Sequence, residues 1–229
     1  MTLLLLGVLP SWRPLSAQVG HEPGGSPYRD LTHASGPAFF VGVLGGERGR
    51  AGVGPSNGRT FGVRYDLQAG RSMIFQLGAT YLKADRFIVD PQAAETSATR
   101  RTGPADTEIL LTEAALLLRL TGGKTWHGLA PYAGFASGLA FDMKSPGDST
   151  GSGYEFGTKF LLSFDTGVRW HAGQHVTVQA DWHALLWRLG YPSSFHDLAP
   201  DQSRVVPLPD PLTDWTFHPW ASLGIGWTF

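Results

Sequence analysis

The strongest constraint on this chain is a two-residue alternation of apolar and polar side chains, sustained over long segments. In residues 59–68 (RTFGVRYDLQ), Phe61, Val63, Tyr65 and Leu67 share one parity, and Thr60, Gly62, Arg64, Asp66 and Gln68 share the other. Successive side chains of a β-strand point to opposite faces, so this segment reads as a strand with one apolar face and one small or charged face. Residues 73–83 repeat the pattern, with Met73, Phe75, Leu77, Ala79 and Tyr81 against Gln76, Gly78 and Thr80. Residues 156–170 carry it furthest. There Phe156, Thr158, Phe160, Leu162, Phe164, Thr166, Val168 and Trp170 alternate with Gly157, Lys159, Leu161, Ser163, Asp165, Gly167 and Arg169. In 176–186, Val176, Val178, Ala180, Trp182, Ala184 and Leu186 oppose Thr177, Gln179, Asp181 and His183.

Four further segments complete the set. Residues 38–45 (AFFVGVLG) are apolar with glycine. Residues 107–120 set Leu110, Ala114, Leu116 and Leu118 against Glu113 and Arg119; their composition would also suit a helix, and the strands on both sides favour a strand. Residues 129–142 set Ala133, Phe135, Leu139 and Phe141 against Tyr132, Gly134, Gly138 and Asp142. In 215–229, Phe217, Ala221, Leu223, Ile225, Trp227 and Phe229 oppose Ser222, Gly224, Gly226 and Thr228.

Segment length narrows the architecture. Soluble strands average about 5–6 residues, whereas a tilted strand crossing a bilayer needs roughly 9–11. Tyr65, Trp170 and Trp227 fall near segment ends, where an aromatic girdle would meet the membrane interface. Connections alternate short and long: 68–71, 121–127 and 171–174 are tight, while 46–57, 85–106, 143–154 and 190–214 are longer. The expected fold is therefore all-β: an eight-stranded antiparallel up-and-down transmembrane β-barrel with short periplasmic turns, longer extracellular loops and both termini in the periplasm.

Composition agrees. Charged residues make up 16% of the 229, there is no Cys, and the net charge is -1, which excludes disulfides and thiolate metal sites and offers no basis for nucleic-acid binding. No apolar run is long enough for a membrane-spanning helix. Residues 2–9 (TLLLLGVL) read as the apolar core of a signal peptide spanning 1–17, with Ala17 at the cleavage site. No Lys or Arg precedes that run, and Leu15 is larger than usual before a cleavage site. Residues 18–36 read as a flexible lead-in and 37–229 as the barrel.

The C-terminal segment resembles the outer-membrane barrel assembly signal through Ser222, Gly224, Trp227 and terminal Phe229. Residues 37–229 resemble the small eight-stranded outer-membrane barrels, the OmpA-like transmembrane and OmpW-like group. The resemblance implies a Gram-negative cell envelope and recognition by the barrel-assembly machinery, centred on Trp227 and Phe229. It also implies contact with outer-membrane lipid and lipopolysaccharide. With the barrel ending the chain, no periplasmic peptidoglycan-binding domain is expected after it.

Apolar-out packing sends the other parity inward. The expected lumen holds Arg64, Arg119, Lys159 and Arg169 with Asp66, Glu113, Asp142, Asp165 and Asp181, alongside Gln76, Thr80, Tyr132, Gln179 and His183. An eight-stranded lumen is just wide enough for side chains to fill it. The balance of charge points to ion pairs, since a buried unpaired charge is costly. The primary reading is a structural or surface-interacting envelope protein with a salt-bridged plug. Alternatives are a narrow pore or hydrophobic-solute channel, a lipid-modifying enzyme, and a soluble lipocalin-like binder with the faces reversed. Ser163, Ser222, Asp181 and His183 are the residues an acyl hydrolase would draw on, but the His-x-Ser motif of lipid A deacylases is missing, since Ala184 and Leu185 follow His183. His171 and His175 lie across a turn rather than on a helix, so neither cofactor nor metal is expected. Loops 85–106 and 190–214 are the expected partner surfaces, with Arg100 and Arg101 as candidate lipid-phosphate contacts.

Overall fold

The computed structural model describes residues 26–32, 34–148 and 150–229. The expected signal peptide and residues 18–25 of the lead-in lie outside them. The strands are β1 (Tyr28–Asp30), β2 (Gly36–Leu44), β3 (Ser56–Gln68), β4 (Met73–Val89), β5 (Arg101–Arg119), β6 (Lys124–Trp126), β7 (Leu129–Lys144), β8 (Thr158–His171), β9 (Val176–Gly190) and β10 (Thr213–Trp227). Eight of them, β2-β3-β4-β5-β7-β8-β9-β10, form an antiparallel meander, and β10 pairs back onto β2 to close the barrel. Closure pairs each of these eight strands on both sides and leaves the barrel no open edge. The apolar 107–120 segment lies within β5, paired along its length with β4 and β7.

The face assignment is as the alternation demands. Phe39, Phe61, Leu77, Phe135, Phe164 and Leu223 are exposed, whereas Arg64, Asp66, Gln76, Arg169, Gln179 and Asp181 are buried inside. The expected girdle residues Tyr65, Trp170 and Trp227 point outward near one end of the barrel. On β4 the outward apolar run from Met73 to Tyr81 ends at Lys83, ten positions on. At about 3.3 Å per residue and a tilt of about 40°, that run spans roughly 25 Å along the barrel axis. The outward runs of β3, β5 and β9 end likewise in charge, at Arg59, Glu108 and Arg188.

Three expectations need correction. The β4–β5 hairpin runs past the apolar band, pairing Val89 with Arg101, so the connecting loop is 90–100 rather than 85–106. Within it, Arg100 is buried and its guanidinium holds the carbonyls of Asp90, Pro91 and Ala93 at 2.6–3.2 Å. It is a loop staple and not a lipid-phosphate contact. Arg101 lies 3.9 Å over the Phe87 ring. Secondly, part of the lead-in is ordered: β1 pairs with β6 beneath the barrel. Thirdly, Phe156 is not on the outward face. Gly157, at φ 60°, takes a backbone conformation that favours glycine, and the chain before it turns inward, burying Phe156 completely.

Candidate functional site in the lumen

The interior has two layers. The layer nearer the short turns is polar. Arg64 on β3 pairs with Asp181 on β9, and Asp181 also accepts from the Tyr132 hydroxyl and, at 3.2 Å, from Ser222. Arg169 on β8 meets Asp66 at 2.6 Å, and Gln76 donates to the same carboxylate at 2.7 Å. His183 Nδ1 lies 2.7 Å from Asp165, while Nε2 lies 2.9 Å from an Arg64 nitrogen. A guanidinium only donates, so Nε2 accepts, and the Nδ1–H donates to the Asp165 carboxylate. Inward glycines make room: a Cβ on Gly167 would lie 2.7 Å from the Tyr132 hydroxyl and 2.8 Å from Asp181. Gly224 clears Gln179 in the same way, with a Cβ only 2.9 Å from its Nε2.

The network is smaller than the inward list of charges. Among the described residues, Glu113, Arg119, Asp142 and Lys159 make no ion pair. Arg119 sits at the turn end and donates to the Arg71 carbonyl at 3.2 Å. Asp142 and Lys159 lie at the opposite end of the lumen, where Asp142 accepts from Ser145 and Lys159 lies 5.7 Å over the Phe156 ring. Glu113 keeps one carboxylate oxygen buried without a partner. Parity puts all of these side chains inside, but it does not set which charged ends come within reach of one another.

Ser163, Asp165 and His183 do come together, in an order unlike a hydrolase. The Ser163 hydroxyl donates to Asp165, and Arg64 occupies the imidazole nitrogen that would have to activate a nucleophile. Ser222 is directed to Asp181 and Arg64, not to His183.

The outer layer is apolar, which the alternation did not reveal. Leu82, Ile109, Leu111, Leu161, Leu185, Trp187 and Trp220 are fully buried, joined from the loops by Val53, Phe156, Phe195 and Val206. Phe40 and Trp220 mark the seam: Trp220 stacks on His183 at 4.2 Å, and the Arg64 guanidinium lies 3.9 Å over Phe40. The Trp220 indole N–H donates to Thr60 Oγ1 at 2.9 Å, so the ring is buried without stranding its polar atom. A signal was present in residues 184–189 (ALLWRL), where apolar residues occupy both parities.

Two surface clefts flank these layers. One, of about 750 Å³, lies at the turn end between residues 26–32 and the 171–174 turn. The other, of about 480 Å³, lies beside loop 142–148 and includes Arg86 and Tyr154. Beside it Asp148 accepts from Thr150, Ser152 and Gly153, and although partial desolvation opposes it, these hydrogen bonds hold its carboxyl down at about 2.

No protein-family model matches this chain, and no curated protein matches it. Among solved structures it is similar to the outer membrane protein OprG from Pseudomonas aeruginosa, with 12% identity, 88% of this chain and 99% of that chain covered, and a TM-score of 0.51. It is more distantly similar to Neisserial surface protein A, with 14% identity, 89% and 98% covered, and a TM-score of 0.48. The first likeness establishes the fold: the chain has the architecture of the small eight-stranded outer-membrane β-barrels.

Proposed function

We propose that this chain is an integral outer-membrane protein with a closed lumen, whose working surface is its outer loops. The observation that carries the closed lumen is the complete burial of Trp187, Trp220, Phe156 and Phe195 inside the outer half of the barrel. Those rings fill the section that a pore would leave to water. They also pack against one another where a hydrophobic-solute route would run, so the interior reads as a core. Membrane insertion is supported by the apolar band around the barrel, which a soluble lipocalin-like protein would turn inward. Beneath the aromatic layer, the ion pairs serve as a brace, and the Ser163–Asp165–His183 contacts belong to that brace and not to an acyl-transfer site.

In planar bilayers the refolded full chain is expected to give no sustained ionic conductance, together with a heat-dependent mobility shift on gels. Reproducible single-channel steps would overturn the closed-lumen reading, and the absence of a shift would overturn the membrane barrel.

Biogenesis follows from the last strand. Trp227 and Phe229 face outward, whereas Ser222 and Gly224 serve the lumen, and the Phe229 amide donates to the Ser35 carbonyl at 3.0 Å. Deleting Phe229 is expected to lower assembled barrel sharply in the outer-membrane fraction while synthesis continues. Unchanged membrane levels would remove the assembly-signal role.

A further inference from the structure

On the outward surface the apolar runs of β3 and β4 both end in a cation. Arg59 and Lys83 are direct partners in the β3–β4 ladder, and both are exposed. Directly opposed residues have Cβ atoms about 5 Å apart, and like charges there are destabilising unless something anionic lies between them. The protein supplies little. Arg59 has no side-chain partner among the described residues, and Lys83 reaches Asp106 only at 3.8 Å, with both side chains largely in solvent. Such an exposed, loose pair is worth little. Glu108, the direct partner of Lys83 on the β5 side, is shared with Lys144 at 3.7 Å and with the Tyr81 hydroxyl, so one carboxylate faces several donors and none of it reaches Arg59.

One step toward the membrane centre, Phe61 and Tyr81 are the next outward partners in the same ladder, with ring centroids 4.9 Å apart. Two cations thus stand directly above an aromatic pair, at the outer end of the apolar band. Arg188 ends its run differently: it donates to Thr213 at 3.0 Å and stands opposite Trp215, with no second cation beside it.

We propose that Arg59 and Lys83 form a binding site for a phosphate of an outer-leaflet lipid headgroup, with the acyl chains lying against Phe61 and Tyr81. A guanidinium offers paired donors to phosphate oxygens, and the ammonium adds a compact charge beside them. The lipid is favoured over free phosphate because the anion would rest on the edge of an apolar, lipid-facing surface, where only a headgroup brings its own hydrocarbon. This site rests on the outer-membrane reading above.

The test uses the full chain refolded into phosphatidylcholine vesicles containing bisphosphorylated lipid A, with retained lipid A read by native mass spectrometry. The wild type is expected to retain it, and the double variant Arg59→Ala, Lys83→Ala to retain about thirtyfold less, as two surface cations near a headgroup would contribute. Arg188→Ala should retain as much as wild type. Lipid A stripped of phosphate should be retained no better than phosphatidylcholine, and millimolar inorganic phosphate should not displace the intact lipid. Equal retention by the double variant, or of the dephosphorylated lipid, would overturn the site; displacement by inorganic phosphate would overturn the lipid as its ligand. Heat-dependent gel mobility of the same samples separates the two readings. A folded, inserted barrel with no phosphate dependence overturns this site alone, and a wild type that never inserts overturns the outer-membrane reading and this site together.

Discussion

Replacing Asp181 with alanine is expected to destabilise the folded barrel by about 3–5 kcal/mol, the cost of stranding a buried charge. Asp181 is the acceptor for Arg64, Tyr132 and Ser222, and both members of its ion pair are almost completely buried. Without it, the Arg64 guanidinium keeps His183, the Ser222 hydroxyl and the rings of Phe40 and Trp220. Urea unfolding of the protein in lipid vesicles measures the effect. The pair Arg64→Met with Asp181→Leu should be markedly less damaging than Asp181→Ala alone, because it removes both charges together. A loss below about 1 kcal/mol for Asp181→Ala would mean that water reaches this layer and solvates the freed charge.

Phe135→Arg is expected to cost about 2–4 kcal/mol in the same assay, the penalty for arginine at the midplane of a barrel's lipid face. Phe135 lies midway along β7, is 70% exposed, and among the aromatic rings of the described residues touches only its cross-strand neighbour Phe164, at 5.3 Å. In water, removing so exposed a ring would cost little, so a large penalty identifies hydrocarbon as its surroundings. A neutral effect in vesicles would mean that this face does not meet lipid. Tyr132→Ala provides the contrasting inward position on the same strand: its loss frees a buried oxygen of Asp181 and so destabilises the barrel whichever solvent lies outside.

The parity of the long segments was sufficient for the strands, their order and their two faces. Phe61 to Leu67 and Arg64 to Asp66 are separated by period alone, because a pleated strand leaves no choice about which side chains share a face. Strand ends were less legible. Residues 84–89 and 101–107 carry no lipid-facing pattern, yet they pair, since a hairpin already in register continues wherever its backbone groups gain partners. The lumen was legible only in part. Arg64, Asp66, Asp165, Arg169, Asp181 and His183 do meet, whereas among the described residues Glu113, Arg119, Asp142 and Lys159 form no ion pair, because parity sends a side chain inside without setting which partner its charged end reaches.

The apolar outer layer marks the same boundary from the other side. Alternation tells lipid-facing from lumen-facing residues while the lumen is polar, and it loses contrast at Leu185, Trp187 and Leu189, where both faces are apolar. Val53, Phe156, Phe195 and Val206 come from three different loops, and their place in that core depends on contacts between residues far apart in the chain. Local period thus suffices for eight strands that each carry one apolar and one polar face, since it acts through backbone geometry that every strand shares; that the apolar face is the outer one is decided by the closed barrel. The filling of the barrel, with ion pairs at one end and aromatic rings at the other, emerges only when shear and loop closure bring distant side chains to the same depth.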